Sequence, residues 1–237
     1  TTVATLIRSR AAEQADGVAM REKSLGIWRE TTWAEYWDAV ETVAHGLVAL
    51  GIKPGDRVAI HAENRPEWIT ADAACVAVRA ICMGLYPTNP SAEVQYLLHN
   101  SGSKILIAED QEQVDKALEV IDSLPELERI VYIEPRGVDV YDDPRLMSWD
   151  ELLRLGASHK VANPSAVNQR MSEVEPDDIA YLIYTSGTTG PPKGAMLTTA
   201  NVEFAFDLLA SNSGFVDPAP GPQDELVSYL PLCHVYE

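Results

Sequence analysis

Short apolar segments alternate with longer segments of helical periodicity along most of this chain. Strand-like runs occupy residues 57–61, 104–108 and 129–133, and segments long enough for helices separate them. Such alternation is typical of βαβ units, in which successive strands lie parallel to one another. The sequence therefore predicts an α/β fold with mainly parallel sheets flanked by helices.

Local signals place individual elements before and within this pattern. Residues 3–14 have the pattern of an amphipathic helix, and a hairpin-like pair of strands follows at 18–22 and 26–30. Thr32 and Glu35 have the spacing of a capping box, which begins a helix. Pro66 suits the first position of another helix, which the apolar pattern extends to about residue 83.

Composition divides the chain into two lobes. We predict a first α/β subdomain over residues 1–160, a polar linker over 161–177, and the start of a second α/β subdomain over 178–237. The linker contains Asn163-Pro164 and Glu175-Pro176, dipeptides that favour turns. The second lobe is expected to begin with strands at 179–184 and 195–198, on either side of a glycine-rich loop.

That loop, residues 184–194, is the strongest functional signal. It contains three glycines, four Ser or Thr hydroxyls and Lys193, directly after an apolar strand. Glycine lets the backbone approach phosphate oxygens closely, and the backbone N–H groups and lysine supply positive charge. We therefore predict that the loop binds the phosphates of a nucleotide; the alternative is an ordinary surface turn.

The order of residues differs from that of the Walker loop. A Walker loop requires Ser or Thr directly after Gly-Lys, whereas Pro192 precedes Lys193 here and Gly194 follows it. A stand-alone P-loop hydrolase therefore fits the sequence less well, although it remains an alternative.

The net charge and the cysteine content limit the kinds of partner and the cellular compartment that we expect for this chain. The chain has 237 residues and a net charge of −18, so its bulk surface should repel nucleic acid and anionic membranes. Cys75, Cys82 and Cys233 are odd in number and form no C-x-x-C pair, which argues against disulfides and zinc and favours the cytoplasm. We expect the first two to share a buried helical face. No stretch has the length and apolar character of a transmembrane segment.

Three segments resemble one known family. Residues 185–194 match the Thr-Ser-Gly-Thr-Thr-Gly-x-Pro-Lys-Gly signature of the adenylate-forming enzymes. Asn64-Arg65-Pro66-Glu67-Trp68 and Leu230-Pro231-Leu232-Cys233-His234-Val235-Tyr236-Glu237 are similar to segments of its long-chain fatty acyl-CoA synthetase branch. We interpret residues 64–68 as a structural helix start, not as a site.

The resemblance implies an AMP-forming fatty acid–CoA ligase that uses ATP and Mg²⁺ as cofactors and coenzyme A as a co-substrate. It implies a role for His234 in the acyl and AMP pocket, and it identifies no catalytic residue or metal ligand with certainty. It also leaves peripheral attachment to a membrane open. The residues that it assigns to the ATP phosphates are Thr185, Ser186, Gly187, Thr188, Thr189, Gly190, Lys193 and Gly194.

Later motifs of that family do not occur in these residues. The chain is therefore interpreted as an N-terminal portion of such an enzyme, and it is expected to form no thioester by itself. Besides the P-loop hydrolase, two alternatives remain: another adenylate-forming ligase, such as an acyl-AMP ligase or an aryl-CoA synthetase, and a non-catalytic nucleotide-binding fragment.

Overall fold

The computed structural model describes residues 2–185, 190–210 and 224–234. The helices are α1 (Val3–Glu13), α2 (Trp33–Ala49), α3 (Pro66–Ala77), α4 (Ser91–Ser101), α5 (Gln111–Glu119), α6 (Trp149–Ala162), α7 (Ala166–Ser172) and α8 (Thr199–Ala210). The strands are β1 (Val18–Ser24), β2 (Ile27–Thr32), β3 (Arg57–His61), β4 (Ile81–Leu85), β5 (Ile105–Ala108), β6 (Arg129–Tyr132), β7 (Leu146–Ser148), β8 (Ile179–Thr185) and β9 (Lys193–Thr198).

Seven strands form one sheet in the order β7-β6-β5-β3-β4-β8-β9. All neighbouring pairs are parallel except β8 and β9, which form an antiparallel hairpin. The carboxyl ends of β3 to β8 therefore lie along one edge of the sheet. The predicted α/β class with a mainly parallel sheet is confirmed.

Helices pack on both faces of the sheet. Alternate residues of each buried strand point to opposite sides, so each strand contributes to two apolar layers. Ile60 and Ile107 belong to the apolar layer formed with α1, α2, α3, α6 and α7. Ala59 and Leu106 belong to the layer formed with α4 and α5. This two-sided burial explains why the strands are continuously apolar in sequence.

Helix α2 begins as its sequence predicts. The Thr32 hydroxyl accepts a hydrogen bond from the Glu35 N–H, and the Glu35 carboxylate accepts one from the Thr32 N–H. The hairpin of β1 and β2 lies outside the large sheet and packs near the start of this helix.

The prediction of a helix from Pro66 to about residue 83 was wrong. Helix α3 ends at Ala77, and Arg79 adopts a left-handed conformation with φ of 61°. The Arg79 guanidinium donates two hydrogen bonds to Asp178, at 2.8 and 3.0 Å, which fix this turn. Residues 81–85 then pair with β3. Apart from Arg79, residues 73–85 are apolar or glycine, so their periodicity does not separate a buried helix from a buried strand.

The same difference corrects the position of two cysteines. Cys75 lies on α3 and Cys82 lies on β4, so they share no helical face. Both are buried, as expected.

The region predicted to link two lobes contains regular structure. Helix α6 continues to Ala162, and α7 occupies residues 166–172 with Val167 and Met171 buried. Strands β8 and β9 belong to the same sheet as β3 to β7. The division into two subdomains joined at 161–177 remains a prediction.

None of the helices in the described ranges combines the length and the apolar character needed to cross a membrane.

Candidate functional site

The glycine-hydroxyl loop connects β8 to β9 at the carboxyl edge of the sheet. Thr185 ends β8, Lys193 begins β9, and these two residues face each other as register partners. In open α/β sheets, ligands bind outside the carboxyl ends of the strands. The loop thus lies where the fold class places its binding sites.

Five of the residues assigned to this loop and to the later histidine segment can be located. Thr185 and Lys193 are exposed, Gly190 has a φ of 92°, and Gly194 is partly buried within β9. Lys193 forms no ion pair with another described residue, so no neighbour in those ranges neutralises its charge. His234 is partly buried in a turn after Leu230. Four assigned positions lie outside the described residues: Ser186, Gly187, Thr188 and Thr189.

Helix α4 supports the base of the loop. The Tyr96 hydroxyl donates a hydrogen bond to the Pro192 carbonyl at 2.9 Å. The Tyr184 hydroxyl donates one to Asn100 Oδ1 at 2.6 Å, and the two tyrosine rings meet edge to face with centroids 6.5 Å apart. These contacts join α4 to β8 and to the residue that precedes β9.

Gly194 allows this close packing. A Cβ atom at this position would lie 2.9 Å from Leu182 Cδ1 and 3.2 Å from Tyr184 Cζ. A side chain at this position would require the Leu182 and Tyr184 side chains to shift. The glycine that ends the sequence signature therefore also has a packing role.

Asn64 holds the segment that carries His234, a role that the sequence interpretation missed. Its Nδ2 donates hydrogen bonds to Ser228 Oγ at 3.1 Å and to the Leu230 carbonyl at 2.7 Å. Its Oδ1 accepts one from the Leu232 N–H at 3.0 Å. The available signal was position, because Asn64 follows the carboxyl end of β3, where ligand sites form.

The next residues of the segment pack against β4 and α3. A Cβ atom on Gly84 would lie 2.6 Å from Cys233 Cβ and 3.2 Å from Trp68 Cζ2, so this glycine lets Cys233 approach the strand. Burial raises the pKa of the Cys233 thiol to about 11. The thiol therefore stays neutral near pH 7 and serves packing rather than nucleophilic attack.

A backbone hydrogen bond closes the turn after Leu230. The His234 N–H donates a hydrogen bond to the Pro231 carbonyl at 2.8 Å. Because Gly84 of β4 contacts Cys233 and β4 pairs with β8 through Cys82 and Tyr181, the histidine segment and the glycine-hydroxyl loop lie at the same edge of adjacent strands.

A second histidine, His61, stabilises the turn that follows β4 at the same edge of the sheet. His61 ends β3, is fully buried, and its Nε2 lies 3.0 Å from the Tyr86 carbonyl. Burial, with a smaller effect of the Lys116 charge, lowers the pKa of His61 to about 4. The neutral ring therefore donates Nε2–H to Tyr86 and fixes the turn that follows β4.

One depression in the described ranges is lined by none of the residues discussed above. It has a volume of about 370 Å³ and lies at the start of α5, lined by Asp110, Gln111, Glu112, Glu134 and Arg136. Three of these five side chains are carboxylates, which disfavour a polyphosphate. Among the described residues, no group of three or more His, Cys, Asp or Glu side chains is arranged to hold a metal ion.

Comparison with known families and curated proteins gives a consistent result. Residues 7–237 match the family model described as AMP-binding enzyme. The chain is 31% identical over 234 residues to a long-chain-fatty-acid–CoA ligase, ACSBG2 of Xenopus laevis, covering 99% of this chain and 31% of the relative. It is 30% identical over 233 residues to the long-chain-fatty-acid–CoA ligase FadD15 of Mycobacterium bovis, covering 98% of this chain and 36% of that protein. The chain thus spans about a third of the length of these relatives.

Solved structures show the same fold. The anthranilate CoA ligase AuaEII, crystallised with anthranoyl-AMP, superposes with a TM-score of 0.75 at 23% identity, covering 90% of this chain and 37% of that one. The N-terminal domain of FACL13 from Mycobacterium tuberculosis, in an inhibitor-bound crystal structure, gives a TM-score of 0.59 at 26% identity, covering 83% and 44%.

Proposed function

Because the chain belongs to the AMP-binding enzyme family of adenylate-forming ligases, we propose that the complete protein is a long-chain fatty acid–CoA ligase. The observation that carries this proposal is the signature loop at the carboxyl edge of the sheet, in a chain about 30% identical to long-chain fatty acid ligases.

The proposed reaction has two steps. A fatty carboxylate oxygen attacks the α-phosphorus of ATP, which forms acyl-AMP and releases pyrophosphate. The sulfur of coenzyme A then attacks the acyl carbon, which forms the thioester and releases AMP. Such transfers depend on positioning and on neutralisation of charge more than on covalent participation of the protein.

In this proposal, the loop holds the phosphates that leave as pyrophosphate. Lys193 approaches them as a point charge, since it is exposed and forms no ion pair in the described ranges. Gly190, with its positive φ, presents backbone to the same phosphates. The hydroxyls of Thr185, Ser186, Thr188 and Thr189 complete the set of donors, as the resemblance implies.

Magnesium fits this arrangement as a partner of the nucleotide. Bound to the phosphate oxygens, it would neutralise the charge that develops on the leaving pyrophosphate. It needs few protein ligands in that role.

We propose that His234 faces the reacting carboxylate and α-phosphate, and that Asn64 places it there. Its segment is bound to the carboxyl edge next to the loop. Residues 1–237 correspond to about a third of the relatives' length, and in this proposal the complete reaction also needs the remaining part. We therefore expect residues 1–237 alone to bind nucleotide without forming acyl-CoA.

The decisive experiment replaces Lys193 by Ala in the complete protein and measures ATP affinity by calorimetry. A charge-assisted contact is worth about 1.5–3 kcal/mol, so we expect ATP binding to weaken by about 10-fold to 100-fold. Lys53→Ala is the matched control, because Lys53 is an exposed lysine that precedes β3 at the opposite edge of the sheet. Equal affinity of both variants and the parent protein would refute the assignment of the loop.

The acid substrate is tested by pyrophosphate release with a panel of fatty and aromatic acids. Release with long-chain fatty acids, together with acyl-CoA formation, supports the proposal. Preference for an aromatic acid, or release of acyl-AMP without thioester, would identify another adenylate-forming ligase instead.

A further inference from the structure

The turn of the β1–β2 hairpin exposes three large apolar side chains. Leu25 is 95% exposed, Ile27 68% and Trp28 62%. They are consecutive except for Gly26, so they form one apolar tip rather than scattered surface residues. Contiguous exposed apolar residues commonly mark an interaction site.

The backbone of the turn is unusual for its sequence. Leu25 and Gly26 have φ values of 51° and 81°, and Ser24 pairs with Ile27 across the turn. A two-residue turn with positive φ at both positions favours Asn-Gly or Gly-Gly, not leucine. A strained backbone that also exposes a leucine to water points to a function for the side chain.

The charge nearest the turn is positive. Lys23 Nζ lies 5.9 Å from the centre of the Trp28 ring, and Arg29 is exposed on the other side of the turn. No acidic residue occurs between Lys23 and Arg29, but Glu22 is the cross-strand partner of Arg29 and lies as far from the turn as Arg29 does. Lys23 is thus the one charge of the tip that no cross-strand carboxylate opposes, and it is positive on a chain whose net charge is −18.

We propose that this hairpin tip docks on a lipid bilayer. Leu25, Ile27 and Trp28 enter the boundary between headgroups and acyl chains, where tryptophan is favoured, and Lys23 and Arg29 contact lipid phosphates. A small convex tip with an indole ring and flanking cations fits an interface better than it fits a pocket of a protein partner.

The negative charge of the whole chain does not prevent this docking. Charges separated by more than about 8 Å are screened at physiological ionic strength, so the tip residues dominate at the point of contact. The docking proposal rests on the proposed function in one respect only. The purpose of docking is to bring the enzyme to the surface where long-chain fatty acids partition. Vesicle binding requires no catalysis, so failure of docking and failure of the ligase assignment are distinguishable.

The base of the hairpin is held independently of the tip. The Trp33 N–H donates a hydrogen bond to the Gly17 carbonyl at 2.9 Å, and Arg21 Nε forms an ion pair with Glu30 at 2.8 Å. Substitutions at the turn should therefore leave the fold intact. Leu25→Asn is especially suitable, because asparagine is favoured at this turn position.

The test measures co-sedimentation of the complete protein with phosphatidylcholine vesicles, with and without phosphatidylserine. We expect binding to increase with phosphatidylserine and to weaken about tenfold in Leu25→Asn, the loss expected when one leucine no longer leaves water. Val161→Asn is the matched control, because Val161 is an apolar residue of α6 that is 86% exposed far from the hairpin in sequence. Binding should also move the Trp28 fluorescence to shorter wavelength, measured as the difference from Trp28→Phe.

Three results would overturn the proposal. One is equal vesicle binding by Leu25→Asn, Val161→Asn and the parent protein. Another is loss of self-association in Leu25→Asn without a change in vesicle binding, which would assign the tip to contact between copies. The third is a Trp28 emission that already lies at short wavelength in the complete protein without lipid. This result would show that the rest of the protein covers the tip.

Discussion

Replacement of Asn64 by Ala tests whether this side chain positions the histidine segment. The change removes three hydrogen bonds at once: two that Nδ2 donates, to Ser228 Oγ and the Leu230 carbonyl, and one that Oδ1 accepts from the Leu232 N–H. The two segments are 164 to 168 residues apart in sequence, so no local structure replaces these bonds.

The magnitude follows from the exposure of the partners. A hydrogen bond contributes a net of about 0.5–1.5 kcal/mol, and water can take the place of the amide because residues 228 and 230 are not buried. Taking the lower half of that range for three bonds gives about 1.5–3 kcal/mol. The equilibrium between bound and released segment should therefore shift by about 10-fold to 100-fold.

Two measurements report this shift. Amide hydrogen exchange at Leu232 and His234 should accelerate by that factor, and kcat for acyl-AMP formation in the complete protein should fall. The free energy of global unfolding should change by less than about 1 kcal/mol, because the segment lies at the surface.

Controls separate position from general damage. Asn168→Ala removes an exposed asparagine that accepts one hydrogen bond from Arg8 at 2.9 Å, and it should change neither readout. Asn64→Asp keeps the acceptor for the Leu232 N–H but loses both donors, so it should give an intermediate effect. Unchanged exchange at Leu232 in Asn64→Ala would refute the reasoning.

Two further predictions concern stability. Burial raises the pKa of Asp72 to about 6 from an ordinary 3.8, so the folded chain holds an extra proton between these values and loses stability as the pH rises through them. Asp72→Asn should therefore stabilise the protein by up to about 3 kcal/mol in urea unfolding at about pH 7.5 and by almost nothing at about pH 4; equal effects at both would contradict it. Gly156→Ala would place a Cβ atom 2.0 Å from the Thr42 carbonyl oxygen, so it should separate α6 from α2. We expect it to lower the free energy of unfolding by at least about 2 kcal/mol. Ser158→Ala, at an exposed position of the same helix, should lower it by less than about 0.5 kcal/mol in the same urea assay.

Elements with local signals could be predicted from the sequence. The capping box of Thr32 and Glu35 begins α2 because both partners lie within one helical turn. The strands at 57–61 and 105–108 are short, largely apolar runs bounded by turn residues, and this length favours strands buried on both faces of a sheet. The predicted strand before residues 185–194 is confirmed as β8, and the phosphate chemistry of that loop stays a prediction.

Features that depend on distant partners could not be predicted in this way. The helix end at Ala77 depends on Arg79, which contacts Asp178 about a hundred residues later. Burial raises the pKa of Asp72, and the hydroxyl of Tyr181 on β8, more than a hundred residues later, partly offsets this rise by a hydrogen bond to Oδ2 at 3.2 Å.

The sequence by itself determined the fold class and predicted a phosphate-binding loop at 185–194, because periodicity, caps and glycine spacing act over a few neighbouring residues. Only the tertiary structure decided that Asn64 holds the histidine segment and that Gly84 and Gly194 give room for close contact. The physical reason is that hydrogen bonds and packing across the sheet edge join residues far apart in the chain. Nothing in the local pattern around any one of them encodes its partner.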